Sequence, residues 1–171
     1  MFSGESVGDE RKVKNVSRAP AAKMSTIPSS APVLKVCLLR YGAALPMKAY
    51  PGDAAFDVYL VESLRIPGNS VRTVGLGIAV EMPAGMYGMI LERSSCGKEG
   101  VVSIGRLIDN GYRGELHATL ANLTEWEIEY APGERVVQLL LANNNPGLSV
   151  EQVDQLADSP RGEKRHGSSG R

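Results

Sequence analysis

Residues 71–91, VRTVGLGIAVEMPAGMYGMIL, carry the clearest structural signal in the chain. Their first half places an apolar side chain at every second position: Leu76, Ile78, Val80 and Met82. A Pro-Ala-Gly turn at 83–85 then leads into a second apolar run at 86–91. A period of two is the spacing of side chains on one face of a β-strand. This stretch therefore predicts a strand, a tight turn and another strand.

The same pattern extends in both directions from this stretch. Short apolar or alternating runs occupy 34–39, 116–120, 126–130 and 136–142, with a Pro-Gly turn before the last. The one helical candidate is the spacing of Val150, Val153 and Leu156, which spans three turns at most. Many short strands separated by Gly and Pro turns predict an all-β fold, a jelly-roll-like β-sandwich or barrel. The nineteen glycines and ten prolines of the chain agree with a fold of many turns.

Length and charge restrict the function classes. The chain has 171 residues, about one domain, and 19 basic against 19 acidic side chains. A net charge of zero disfavours nucleic acid as a partner, and no apolar run approaches a membrane span or a signal peptide. We therefore expect no nucleic-acid or membrane partner and an intracellular location, cytoplasmic or nuclear. Two cysteines are too few for a disulfide framework or a zinc site.

The neutral total hides three regions of different composition. Residues 1–34 carry five basic and three acidic side chains, 35–157 carry ten and fourteen, and 158–171 carry four and two. The first region is rich in Ser, Ala and Pro, and the last in Gly and Ser, without apolar periodicity. We predict a disordered N-terminal tail at 1–33, a β core at 34–157 and a flexible C-terminal arm at 158–171.

One turn carries residues of chemical interest. Asn110-Gly111, between 106–108 and 112–114, is a strong signal for a type I′ hairpin. Asp109 and Tyr112 would then flank the turn. An Asp before Asn-Gly is usually a turn-former. The turn alone therefore leaves a catalytic role for Asp109 open.

Five segments in fixed order resemble those of the trimeric dUTPase family, and the resemblance spans about residues 36–170. They are PGDAAFDVY (51–59), RSSCGK (93–98), GRLIDNGYRGEL (105–116), PGERVVQLLL (132–141) and RGEKRHGSSG (161–170). The resemblance implies a jelly-roll-like homotrimer with its active sites at subunit interfaces. It also implies hydrolysis of dUTP to dUMP and pyrophosphate, which keeps uracil out of DNA and supplies dUMP.

The first, second and fourth segments are then expected to bind the triphosphate. The resemblance implies a Mg²⁺ ion on the phosphates, held through water by Asp57, which suits a cation that keeps its water ligands. It assigns the second segment, with Arg93, Ser94 and Ser95, to the phosphates, where a guanidinium and hydroxyl donors suit anion binding. Gln138, between apolar neighbours, must find polar partners and is expected near the α-phosphate.

The third segment is expected to select the base and activate water. By the resemblance, Asp109 is the base that activates the water attacking the α-phosphorus. Tyr112 packs on the deoxyribose and excludes a 2′-hydroxyl, while Gly105 and Ile108 belong to the substrate-binding turn. Arg106 departs from the family, which usually has Gly at this position.

The fifth segment is expected to close over the substrate as a lid. The resemblance implies that Arg161 clamps the triphosphate and that Gly167, Ser168 and Ser169 add polar donors. His166 stands where the family most often has Phe stacked on uracil. The imidazole can still stack, but it offers less apolar area than Phe, so we expect a weaker lid.

Two alternatives remain at this stage. The first is a dCTP deaminase of the same fold, which would need a Glu three residues before Asn122, where this chain has Thr119. The second is a non-catalytic trimeric scaffold or regulatory binder, which the departures at Arg106 and His166 would suit. The intact Asp109 and Arg93 oppose it.

Overall fold

The alternating stretch at 71–91 forms strands, as its periodicity predicts. The computed structural model of the chain describes residues 32–159. In chain order its elements are β1 (Lys35–Leu38), β2 (Ala55–Val58), β3 (Leu64–Ile66), β4 (Ser70–Gly75), β5 (Ile78–Glu81), β6 (Met86–Glu92), α1 (Ser94–Lys98), β7 (Val101–Ile104), β8 (Leu107–Ile108), β9 (His117–Asn122), β10 (Ile128–Tyr130) and β11 (Val137–Asn143). The prediction of an all-β fold is confirmed.

Four antiparallel sheets enclose one hydrophobic core. A four-stranded sheet has the order β2-β11-β6-β8, a three-stranded sheet the order β4-β9-β7, and two-stranded sheets pair β1 with β5 and β10 with β3. All four contribute side chains to the same buried cluster. Its largest fully buried apolar members are Leu60, Ile66, Leu76, Ile78, Leu116, Leu120 and Leu139. Burying this much apolar surface is the main force that holds the sheets together.

Two glycines divide the alternating stretch into β4 and β5. Gly77 has φ of +69°, a left-handed conformation that favours glycine. Its N–H donates to the Glu115 carboxylate at 2.9 Å, and that carboxylate also pairs with Arg40 at 2.9 Å. A Cβ at Gly75 would lie 2.4 Å from a Glu115 oxygen. The break between β4 and β5 therefore leaves room for the Glu115 side chain and supplies a backbone N–H that bonds its carboxylate.

The prediction of a type I′ hairpin at Asn110-Gly111 is wrong. A turn does form, since the Tyr112 N–H donates to the Asp109 carbonyl at 3.1 Å, but neither central residue has the positive φ that type I′ requires. Strand β8 pairs with β6, and 112–114 belong to no strand. The Asn110 amide donates to the carbonyls of Pro83 and Met86, both at 2.8 Å. These tertiary contacts override the local preference of the dipeptide.

The spacing of Val150, Val153 and Leu156 leaves a short helix as an ambiguous candidate. No helix forms there, and the three side chains are 99%, 51% and 82% exposed. A short amphipathic segment needs a packing surface to become helical, and this one has none within the described part of the chain. The helix within the described residues is α1, five residues long, whose own Cys96 is buried. One turn of helix is too short to show a period of 3.6 in the sequence.

Several predictions fall beyond the described residues. Most of the predicted N-terminal tail and nearly all of the C-terminal arm lie there, and the domain boundaries remain a prediction. The fifth-segment residues Arg161, His166, Gly167, Ser168 and Ser169 lie there too. Within 32–159, no helix has the length and apolar character needed to cross a membrane.

Candidate functional site

A cavity of about 470 Å³ brings together the residues predicted to bind phosphates and metal. Strands β2 and β11 are neighbours, and their register sets Asp57 directly opposite Gln138. Strand β6 lies on the other side of β11 and ends one residue before Arg93. Helix α1 then carries two serines to the rim. The predicted residues that line the cavity are Asp57, Arg93, Ser94, Ser95 and Gln138.

Two arginines hold the Asp57 carboxylate, one on each oxygen. Arg93 Nε lies 2.9 Å from Oδ1, and Arg135 Nη1 lies 3.1 Å from Oδ2. The Asp57 side chain is only 12% exposed, whereas Arg93 and Arg135 are 32% and 42% exposed. Arg135 donates a charge-assisted hydrogen bond to Oδ2, which is directional, whereas Arg93 forms an ion pair with Oδ1. The carboxylate is therefore fixed in position at the wall of the cavity.

Gln138 has the polar partner that its apolar neighbours require. Its amide donates to the Glu92 carbonyl at 3.1 Å, across the pairing of β11 with β6. The side chain is half-buried and lines the cavity. This bond fixes the amide at the end of β6, next to Arg93.

Glu92 ties the end of β6 to β7 through Ser103. The Ser103 hydroxyl donates to the Glu92 carboxylate at 2.6 Å, and the Ser103 N–H donates at 3.0 Å. The hydroxyl hydrogen bond is the largest cause of a lowered pKa for the Glu92 carboxyl. Arg106, which departs from the family pattern, lies 3.8 Å from the same carboxylate. The charge of Arg106 therefore faces Glu92.

A second, smaller cavity of about 200 Å³ collects the third-segment residues. It is lined by Gly105, Ile108, Asp109 and Tyr112, together with Leu107, Glu115, Leu116 and His117. The Tyr112 hydroxyl donates to the Glu115 carbonyl at 2.9 Å, which fixes the ring. Asp109 is exposed at the mouth of this cavity. Among the described residues, the turn therefore places the unpaired carboxylate of Asp109 near the Tyr112 ring, which its hydroxyl hydrogen bond holds in place.

The two cavities lie apart within one chain. Ile108 pairs with Gly88 on one side of β6, and Gln138 pairs with Leu91 on the other. Ile108 and Gln138 are therefore separated by two spacings between neighbouring strands and by a rise of three residues along β6. This corresponds to a distance on the order of 14 Å. The candidate residues for phosphate binding and for water activation therefore do not share one cleft within the described residues of a single chain.

The donors around Asp57 fit a Mg²⁺ ion only through its water ligands. Within residues 32–159, no three His, Cys, Asp or Glu side chains cluster closely enough to hold a metal ion. The cavity offers the Asp57 carboxylate and two serine hydroxyls, and the nearby Asp53 carboxylate accepts from the Tyr50 N–H at 2.9 Å. Mg²⁺ keeps several waters and commonly takes one or two carboxylates together with substrate phosphates. The residues present fit that arrangement.

Arg135 is the site residue that the sequence reasoning missed. It lies in the fourth segment, three residues before Gln138, and the sequence offers no signal that it reaches Asp57. The pairing depends on the register of β2 and β11, which is a long-range property of the fold.

The fold and the cavity together define an all-β protein with a polar cavity lined by Asp53, Asp57, Arg93 and Gln138. The dUTPase family model matches residues 42–170. The deoxyuridine 5'-triphosphate nucleotidohydrolase of Corynebacterium jeikeium is 36% identical over 80% of this chain and 92% of its own. That of Nocardia farcinica is 41% identical over 75% of this chain and 80% of its own. The chain therefore belongs to the dUTPase family.

Solved structures support the same fold. The dUTPase of Staphylococcus bacteriophage 80alpha with dUpNHpp superposes with a TM-score of 0.73 at 24% identity, covering 81% of this chain and 98% of its own. A mutant dUTPase of phage phi11 of S. aureus, described with a structural Mg(II) ion, gives a TM-score of 0.66 at 20% identity, covering 72% and 97%. The predicted β-jelly-roll fold is confirmed.

Proposed function

We infer that this chain is a dUTP diphosphatase, which hydrolyses dUTP to dUMP and pyrophosphate. The observation that carries the assignment is the cavity around Asp57, Arg93 and Gln138. All three residues lie inside the region that matches the dUTPase family, and the relatives are named for this activity. Both the family match and the chemistry of the cavity support the assignment.

The first cavity would bind the triphosphate. Arg93 supplies a planar cation, and Ser94 and Ser95 supply hydroxyl donors beside it. Gln138, held by the Glu92 carbonyl, would meet the α-phosphate region. A Mg²⁺ ion, held by Asp57 through water, would neutralise part of the phosphate charge when bound. The residues of the chain then have to orient the phosphates and leave the α-phosphorus open to water.

The second cavity would hold the nucleoside and the attacking water. Asp109 would accept a proton from the water that attacks the α-phosphorus, a role that requires a carboxylate within hydrogen-bond reach of that water. The Tyr112 ring, fixed through its hydroxyl, would exclude a 2′-hydroxyl by contact with the deoxyribose. Gly105 and Ile108 would line the base pocket.

A complete site would need more than one subunit. Ile108 of the second cavity and Gln138 of the first lie on the order of 14 Å apart within one chain, and the fifth segment, with Arg161, His166 and Ser168, follows the described core in sequence. A homotrimer in which one subunit contributes Asp57, another Asp109 and an arm closes the site would bring these parts together. The family resemblance supports this assembly, and the separation of the cavities agrees with it.

The deaminase alternative loses further support. Thr119 lies on β9, where its hydroxyl shares a hydrogen bond of 2.9 Å with the hydroxyl of Thr73. It carries no carboxylate that could serve as the catalytic acid or base of a deaminase. The Asn122 amide makes four hydrogen bonds, all to atoms of Ile66, Thr124 and Trp126. Asn122 is therefore a structural residue that braces the end of β9.

Nucleotide specificity tests the proposed function. Pyrophosphate release should be measured with dUTP, dCTP, dTTP and UTP, each with Mg²⁺, and ammonia release with dCTP. We expect turnover of dUTP and strong discrimination against the other three, because base and sugar are each read by contacts in the second cavity. Comparable rates on two or more nucleotides would contradict this account, and ammonia release from dCTP would favour the deaminase.

A further inference from the structure

We propose that Arg135 is a positioning residue that keeps Asp57 oriented toward the Mg²⁺–triphosphate when Arg93 turns to bind phosphate. The proposal deepens the proposed function and rests on it. The observation behind it is the pairing of the two oxygens of one carboxylate with two different guanidinium groups, at 2.9 and 3.1 Å.

The two arginines approach Asp57 from different places. Arg93 lines the phosphate cavity and also a neighbouring cavity of about 350 Å³, whereas Arg135 lines the neighbouring cavity and not the phosphate cavity. Arg93 therefore lies where it can exchange the Asp57 carboxylate for a phosphate in the phosphate cavity. Arg135 reaches Asp57 from the neighbouring cavity and is absent from the lining of the phosphate cavity.

The backbone around Arg135 is hydrogen-bonded to Leu60, which follows β2, and to Arg93. The Gly133 N–H donates to the Leu60 carbonyl at 2.8 Å, and the Leu60 N–H donates to the Glu134 carbonyl at 3.0 Å. Arg93 Nη1 donates to the Arg135 carbonyl at 3.3 Å, and the Arg93 N–H donates to the Val136 carbonyl at 3.1 Å. Movement of the Arg93 side chain would break its Nη1 bond, but the three backbone–backbone bonds would still hold the segment that carries Arg135.

The two oxygens of the Asp57 carboxylate would then have separate roles. Once Arg93 pairs with phosphate, Oδ1 of Asp57 is free to accept from a water bound to Mg²⁺. Oδ2 stays paired with Arg135, which limits rotation of the carboxylate and keeps a compensating positive charge beside it. Without Arg135, Asp57 would keep its charge but lose its fixed orientation. Partners that orient metal-binding groups typically contribute about 10-fold to 100-fold in metal affinity or activity.

Binding of dUpNHpp with and without Mg²⁺ tests the proposal. Calorimetric titrations would compare the full-length protein with Arg135→Gln, once with Mg²⁺ and once with EDTA. We expect Arg135→Gln to weaken binding about 10-fold with Mg²⁺ and to change it less than about twofold with EDTA, because Arg135 acts through Asp57. Arg135→Lys, which keeps a cation but not the planar fork, should recover part of the Mg²⁺-dependent affinity.

A double variant separates positioning from direct contact with phosphate. Asp57→Asn with Arg135→Gln should bind no more weakly than Asp57→Asn alone, since residues that act through one another are not additive. Arg65→Gln is the matched control: Arg65 is also an exposed arginine paired with a carboxylate, Glu129 at 3.0 Å, but on β3 and β10. Arg65→Gln should bind dUpNHpp as tightly as the unmodified protein does, both with Mg²⁺ and with EDTA. Melting temperatures of all variants would verify that they fold.

The outcomes distinguish this inference from the proposed function. Equal weakening of Arg135→Gln in Mg²⁺ and in EDTA, or a further loss in the double variant, would show that Arg135 touches phosphate and would overturn the inference. Unchanged affinity with Mg²⁺ would overturn it as well. In those cases the unmodified protein still binds dUpNHpp. If the unmodified protein binds no dUpNHpp and releases no pyrophosphate from dUTP, the proposed function itself fails.

Discussion

Asp57 and Asp109 are carboxylates in opposite surroundings. Asp57 is nearly buried and paired with two arginines, so its position is fixed by its partners. Asp109 is exposed, and within residues 32–159 no side chain bonds its carboxylate. A paired carboxylate suits an orienting role, whereas an unpaired one can accept a proton from water. The chemistry expected of each residue follows from these surroundings.

Replacing Asp109 by Asn tests its proposed role as the base. The change keeps the shape of the side chain and removes its ability to take a proton. We expect kcat to fall on the order of 10² or more, while dUTP with Mg²⁺ still binds, because the carboxylate acts in the transition state. Single-turnover kinetics and calorimetry would measure the two quantities. Retained turnover would return Asp109 to the role of a turn-former.

Glu92 predicts a specific dependence of stability on pH. The hydrogen bond from the Ser103 hydroxyl lowers its pKa below the ordinary value of 4.5. A carboxyl with a lowered folded-state pKa stabilises the fold above its unfolded pKa, and this contribution is lost as pH falls through the folded value. Glu92→Gln should therefore lower the free energy of unfolding at pH 7 and flatten its decline below about pH 4.5.

Ser103→Ala provides the matched control for Glu92, because it removes the donor and leaves the carboxyl in place. Urea unfolding at a series of pH values should show a flatter acid decline in this variant too. If both variants lose stability with acid as steeply as the unmodified protein does, other carboxyls govern the acid transition.

At the scale of elements, most strands were predictable, and turns form at 83–85 and 132–133 as predicted. The alternation of Leu76, Ile78 and Val80 reports burial, although the structure buries every residue of 74–80 and not one sheet face alone. The type I′ geometry predicted at Asn110-Gly111 was wrong, and the helical candidate at 150–156 does not form, because each depends on surfaces distant in sequence. Which strands pair, and in which register, is also long-range information. Because strand pairing is long-range information, the sequence could suggest the candidate site residues but not the pairing of Asp57 with Arg135.

Asn110 is expected to position the turn that carries Asp109. Its amide joins this turn to the carbonyls of Pro83 and Met86. Asn110→Ala removes both bonds and should destabilise the protein by about 1–3 kcal/mol. It should also lower kcat, because Asp109 would lose its fixed setting. Thermal unfolding and steady-state kinetics would measure both effects.

Gly111→Ala is the control within the same turn. Gly111 has no positive φ, and a Cβ there would meet no atom within 4 Å. The melting temperature should therefore change little. A large loss of stability in Gly111→Ala, with none in Asn110→Ala, would mean that glycine geometry rather than the Asn110 amide holds this turn.

At the scale of the whole molecule, the candidate site residues that the structure describes fall into two groups that one chain keeps apart. The order of the segments predicts that both groups belong to one site. It could not predict that Gln138 and Ile108 would lie on opposite sides of β6. The fifth segment adds a third group beyond the core. Assembly is therefore expected to be a condition of activity.

Truncation after Ser159 tests the role of the arm. It removes Arg161, His166, Ser168 and Ser169 but no strand of the core. Folding and trimer formation should survive, while turnover should fall by several tenfold steps, since positioning and water exclusion at the triphosphate are lost. Light scattering and pyrophosphate release would measure the two. Full activity without the arm would show that the core alone forms the site.

Mixing two inactive variants tests whether sites are shared between subunits. Chains truncated after Ser159 keep Asp109 but lack the arm, and full-length Asp109→Asn chains keep the arm but lack the base. If the arm of one subunit closes over the Asp109 of another, unfolding and refolding the two variants together should restore some activity, because mixed trimers contain sites with both parts. Neither variant can form such a site alone. Mixed trimers, verified by size and by a tag on one variant, that are no more active than either parent would contradict sharing. An arm that closes over the Asp109 of its own subunit would then be the better account, because no mixed trimer could join an intact arm to an intact base.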